Sequence, residues 1–118
     1  MGKREQQKGR RAEIELSSIL NEHGLHTRPG APVSFGGEPD IVGIFGIHAE
    51  IKRRENPDIS AALKQAQMDS DYFGDGIPAV FSRGNRQAWR VTMTLENWLK
   101  LYEGEVNHDA PGEPTEGV

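Results

Sequence analysis

The 118-residue sequence predicts one α/β domain, a mixed sheet flanked by helices, with its elements in the order αβββαββα. Three observations predict it. Apolar residues recur at helical spacing in three stretches, short apolar or alternating runs lie between those stretches, and Gly and Pro punctuate the joins. No internal repeat is visible.

Residues 5–23 form the first expected helix, because Ala12, Leu16, Ile19 and Leu20 share helical spacing and Gly24 follows as a stop. The Pro- and Gly-rich stretch 28–39 leaves room for one short strand over 31–35. IVGIF (41–45) and IHAEIKRR (47–54), split by Gly46, have the pattern of a hairpin. Pro57 and Asp58 open a second helix marked by Ile59, Ala62, Leu63, Ala66 and Phe73, and Gly74 ends it. PAVF (78–81) and AWRVTM (88–93) are strands around an Arg83-Gly84-Asn85 turn. Thr94 caps a last helix bearing Leu95, Trp98, Leu99 and Tyr102. Trp89 and Trp98 are expected as core or dimer anchors. The domain is expected to span 1–103, followed by a disordered acidic tail, 104–118, with almost no large apolar residue to offset the entropy of ordering.

Composition narrows the function classes. With no Cys there is no disulfide framework, thiolate zinc site or cysteine nucleophile. A mean hydropathy of -0.67 and the lack of a long apolar run argue against a membrane protein. A soluble intracellular protein is expected. The net charge is -4, but the tail holds four acids (Glu105, Asp109, Glu113, Glu116) and no base, so residues 1–103 balance 14 acids with 14 bases. Lys3, Arg4, Lys8, Arg10 and Arg11 face only Glu5 among the first eleven residues. Such an arm suits phosphates, or is simply a solvated helix end.

Strand parity groups the chemistry. In IHAEIKRR, Ile47, Ala49 and Ile51 face one side, and His48, Glu50, Lys52 and Arg54 face the other. Glu50 and Lys52 project together, about 7 Å apart at a rise of ~3.3 Å per residue. A short hairpin brings Asp40, directly after Pro39, back beside Glu50. Two carboxylates and an ammonium at one sheet end suit metal-assisted phosphodiester hydrolysis, in which paired carboxylates hold a hard cation such as Mg²⁺ and a lysine orients the attacking water. The same residues also fit an ordinary Glu-x-Lys pair on the wet face of an edge strand. Two helix positions add to the pattern. With Ala12 at zero and ~100° per residue, Leu16 falls near about 40° and Glu13 near about 100°, at the border of the apolar stripe. On the second helix, Gln67 falls near about 80° from Ile59, on the inward side, and Gln65 near about 240°, on the opposite face.

KGRRAEIELSSILNEHG (8–24), PDIVGI (39–44) and AEIKRRE (49–55), followed by Gln67 and AWRVT before the last helix, resemble the PD-(D/E)xK nuclease superfamily and, within it, the archaeal-type Holliday junction resolvases. The resemblance covers residues 8–102 in order and spacing. It implies a restriction-endonuclease-like αβββαβ core with an added strand and a C-terminal helix. It implies a metal-dependent endonuclease acting on branched DNA such as four-way junctions, as a homodimer. Glu13, Asp40, Glu50 and Ile51 would be the ligands of Mg²⁺ or Mn²⁺. Lys52 would act on the attacking water, and Gln67 would match the helix glutamine of the resolvase branch. Lys8, Gly9, Arg10, Arg11, Arg53 and Arg54 would meet nucleic-acid phosphates, and Ser34 would match a loop serine of some relatives. The neutral body departs from the markedly basic resolvases, so a flap, a nick or a linear end is an alternative substrate. A non-catalytic DNA-binding or scaffold module, or a nuclease subunit that needs a partner, also fits these residues.

Overall fold

The computed structural model describes residues 3–31 and 38–105. Helix α1 (Lys3–Glu22) leads into β1 (Arg28–Pro29), β2 (Ile41–Val42) and β3 (Ile47–Arg53). Helix α2 (Ile59–Phe73), β4 (Ile77–Arg83), β5 (Arg90–Thr92) and α3 (Leu95–Lys100) follow, and a π-helical turn (Leu101–Glu105) extends α3. The expected order αβββαββα is the order found. The five strands form one sheet in sequence order, antiparallel except for β3 and β4, which run parallel because α2 carries the chain back between them.

The termini of α1 and α2 are built from local hydrogen bonds. Gly24 adopts φ 99 beyond α1, and Asn21 then anchors the return of the chain. Its side chain accepts from the Thr27 amide (2.7 Å) and donates to the Thr27 carbonyl (3.0 Å), which delivers Arg28 to the sheet edge. Asp58 caps α2 by accepting from the Ala61 amide at 3.0 Å, and Gly74 ends it at φ 64 with its amide on the Ser70 carbonyl.

The alternation of β3 divides the interior into two layers. Ala49 and Ile51, with Ile41, Ala79 and Phe81, pack against Ala12 and Leu16 of α1, and Trp89 and Met93 pack at the margin. On the other face α2 presents Ala62, Ala66 and Ser70. These small side chains allow close approach to the sheet, where His48 and Val80 are fully buried. Trp89 thus meets the expectation of a core residue, and its indole N–H is satisfied by Glu15 at 3.1 Å. Trp98 is 45% exposed and stacks on Tyr102, with Leu95 and Leu99 exposed beside it.

The structure revises two strand expectations. The sheet edge forms at Arg28–Pro29, ahead of the strand expected over 31–35, and 32–37 lie outside the described residues. The strand expected over 41–45 stops at Val42, because Gly43 turns out of the sheet at φ 108. Positions 106–118 of the acidic tail also lie outside the described residues.

Candidate metal centre

The β2–β3 register brings the acids together. Ile41 pairs with Ala49, so Asp40, one residue ahead of β2, lies beside the Ala49–Ile51 stretch of β3 that carries Glu50. The Asp40 amide donates to the Ala49 carbonyl at 3.1 Å, and the Asp40 carbonyl accepts from the Gly30 amide at 2.8 Å. Its side chain accepts from the Ile51 amide at 2.7 Å. Asp40 is therefore held on both sides by backbone. Like charges on neighbouring strands repel, and burial removes the water that would screen them.

That repulsion registers in the acidities. Burial, with the Asp40 charge second, pushes the Glu50 carboxyl up to about 7 against the pull of Lys52. Burial also raises Asp40, opposed by the Ile51 amide and the Lys52 ammonium. Glu13 is raised by burial and by Asp40, and Arg10 counters at 3.3 Å. Asp40 thus raises both Glu13 on α1 and Glu50 on β3, and Lys52 Nζ lies 4.0 Å from Glu50 Oε2. A divalent cation would relieve all three, and two or three carboxylate oxygens with a carbonyl are the donor set such hard ions take.

A cavity of about 320 Å³ opens beside this group, lined by Gly9, Glu13, Asp40, Ile51, Lys52, Arg53 and Arg54. Its floor is acidic and its wall basic. Arg53 Nη1 is buried with no hydrogen-bond partner among the described residues. Arg10 is turned to Glu13 and to the Gly30 carbonyl (3.2 Å), and Arg11 is exposed. Lys8 belongs to α1, and Ser34 lies outside the described residues.

Gln67 does not turn inward. It is exposed and donates to Asp71 at 2.9 Å. The buried stripe of α2 runs through Ala62, Ala66 and Ser70, centred near about 340° on the scale that puts Ile59 at zero, so Gln67 stands about 100° away.

Two residues that sequence reasoning missed join the centre instead. Asp69, near about 280° on that scale, borders the buried stripe from the other side. Ligand atoms of His48, Glu50 and Asp69 all lie within 4.8 Å of one another, a grouping able to hold a metal ion. Asp75, just past α2, contacts His48 Nδ1 with both carboxylate oxygens at 2.9 Å. The parity of β3 already put His48 on the face of Glu50. The acids that meet it depend on the rotation of α2.

The arrangement is that of a nuclease-like α/β fold with a candidate metal site. Among solved structures, the chain is similar to that of Archaeoglobus fulgidus Hjc, a Holliday junction resolvase from an archaeal hyperthermophile. The match has a TM-score of 0.51 and 24% identity, over 70% of this chain and 74% of that one. The fold is the restriction-endonuclease-like one that the motifs led us to expect. No protein-family model matches the chain, and no curated protein does. No helix among the described residues is long and apolar enough to cross a membrane.

Proposed function

We propose that this protein is a divalent-metal-dependent endonuclease that hydrolyses phosphodiester bonds in branched DNA, four-way junctions foremost, and that it acts as a homodimer. The observation that carries this reading is the Asp40–Glu50 pair, forced together by the hairpin register, with Lys52 at 4.0 Å and an open, basic-walled cavity alongside. The similarity of the fold to Hjc, itself a Holliday junction resolvase, supports the choice of substrate. The exposed apolar face of Leu95, Trp98, Leu99 and Tyr102 supports a second copy as partner.

Asp40, Glu50 and the Ile51 carbonyl would hold Mg²⁺ or Mn²⁺, with Glu13 completing or supporting the set. When bound, the ion supplies Lewis acidity toward a phosphoryl oxygen and a water of lowered pKa. Lys52 orients that water and offsets the charge that develops on the phosphoryl group. Arg53 and Arg54 line the cavity and would give a phosphate cationic partners, and Lys8, Gly9, Arg10 and Arg11 of α1 would meet the neighbouring phosphates. Gln67 has no part in this scheme.

The test is cleavage of end-labelled four-way junctions, flaps, nicked duplexes and linear duplexes by purified protein, in Mg²⁺, Mn²⁺ or chelator. Junction products should form only with metal, and Asp40→Asn or Lys52→Ala should lower the rate by about 100-fold or more with the fold retained. Binding without product from any substrate would leave only a non-catalytic DNA-binding module. Equal cleavage by wild type and both variants would refute the site.

A further inference from the structure

The α2 side of Glu50 carries an arrangement that the scheme above does not use. His48 and Glu50 sit two residues apart on β3 and project from the same face, and Asp69 comes from α2 above them. The three offer ligand atoms within 4.8 Å of one another. In a ligand sphere of ~2.0–2.2 Å bonds, neighbouring donors stand about 3–3.5 Å apart, so small side-chain rotations close the set. His48 is only 1% exposed and already oriented. Phe73 stacks on its ring with centroids 6.2 Å apart and an 18° interplanar angle, and Asp75 grips Nδ1 with two oxygens at 2.9 Å. A carboxylate on Nδ1 favours the tautomer with its proton there, which frees Nε2 as a ligand, the arrangement that metal-binding imidazoles adopt. Asp69 Oδ1 accepts from Gln65 at 2.9 Å, a neutral donor that orients the carboxylate and leaves its second oxygen.

We propose that His48, Glu50 and Asp69 form a second cation site, next to Asp40 and sharing Glu50 with it, that selects a transition-metal dication such as Zn²⁺ over Mg²⁺, with Asp75 as the positioning residue. The imidazole is the selective element. Nitrogen ligands favour Zn²⁺ and its neighbours, whereas Mg²⁺ takes oxygen and keeps its waters. The site shares Glu50 with the nuclease reading, but its geometry stands whether or not the chain cuts DNA.

Calorimetric titration of chelator-stripped full-length protein with ZnCl₂ and, separately, MgCl₂ tests it, with anomalous diffraction at the zinc edge to locate the ion. Wild type should bind Zn²⁺ with an ion between His48 and Asp69. Asp69→Asn, a near-isosteric change, should weaken Zn²⁺ binding at least tenfold, and Asp75→Asn by about 10–100-fold. Asp40→Asn, which removes a neighbouring charge but no ligand of this set, should weaken it less than Asp69→Asn does. Circular dichroism reports that each variant is folded, and His48→Gln provides an independent ligand deletion. The proposal is overturned if Zn²⁺ binding survives Asp69→Asn and His48→Gln, or is lost in Asp40→Asn alone, which would put the ion at Asp40. It is also overturned if no Zn²⁺ binds and nitrogen NMR finds both His48 nitrogens protonated, bridging Asp75 and Glu50. A protein that binds Zn²⁺ here yet cuts no substrate would refute the nuclease reading and leave this one standing.

Discussion

Replacing Glu50 by Gln should stabilise the metal-free protein at alkaline pH. The Glu50 carboxyl rises from 4.5 to about 7 in the folded chain, chiefly through burial. Between those values the folded state holds a proton that the unfolded chain has released, so stability falls as pH rises through the interval and levels off above 7. At 1.36 kcal/mol per pKa unit, the ionised side chain costs the native state about 3 kcal/mol at pH 8. Its low side-chain exposure, 17%, leaves little solvent to screen that cost. Glu50→Gln removes the charge and keeps the shape. In chelator at pH 8 the variant should gain up to about 3 kcal/mol, on the order of 10 °C in Tm. At pH 4.5, where the folded group is protonated and the unfolded one only half ionised, the difference should shrink to under about 0.5 kcal/mol. Saturating Mg²⁺ should close most of that gap, since an ion at 100 times its Kd adds about 2.7 kcal/mol to the wild type alone. Urea unfolding at pH 4.5 and pH 8, with chelator or Mg²⁺, measures all four quantities. A variant less stable than wild type at pH 8 in chelator would show that Glu50 is satisfied by protein groups, and the case for a cation beside it would fail.

Two further perturbations test how the centre is held. Gly30→Ala would place a Cβ on the Pro39 carbonyl oxygen, so the strand entrance carrying Asp40 must shift. We expect a loss of about 1–3 kcal/mol in urea unfolding and weaker Mg²⁺ binding by calorimetry, and unchanged binding would show that Asp40 does not depend on that contact. Glu15→Ala removes the acceptor of the Trp89 indole at 3.1 Å and the 3.3 Å partner of Arg83. It should cost about 1–2 kcal/mol in thermal unfolding with junction cleavage retained, because these bonds hold β5 and not the acids.

The sequence made one half of the centre legible. Alternation along IHAEIKRR gives the faces of β3 without reference to anything distant, and the single Gly46 break fixes a hairpin that folds Asp40 back onto Glu50. Glu13 was legible because its stripe is marked by Leu16 and Leu20, whose hydrophobic weight is unmistakable. The second helix offered a poorer guide. Its buried stripe is Ala62, Ala66 and Ser70, small residues that carry a weak apolar signal yet pack closest to the sheet. Taking Ile59 and Leu63 as the inward reference turns the helix by about 40° and brings in Gln67 at the expense of Asp69. Asp75 could not be found at all, because its contact with His48 spans the crossover. Edge strand β1 went unread for a related reason, since two residues with no alternation carry no period to read.

Parity, register and burial together explain why one position, Glu50, carries so much of the chemistry. Asp40 and Glu13, held by the Ile51 amide and Arg10, line a cavity together with Lys52, Arg53 and Arg54. On the α2 side lie His48 and Asp69, with Asp75 behind them. Glu50 belongs to both neighbourhoods, feeling Asp40 and Asp69 as like charges and Lys52 as the compensating one. A lone ammonium 4.0 Å away and one-third exposed cannot neutralise three carboxylates in a half-buried site. Folding alone gives no reason to keep such a cluster, because apolar side chains of the same volume would pack there at lower cost. Cation binding gives one, since the electrostatic work that destabilises the empty protein is returned as affinity for a dication.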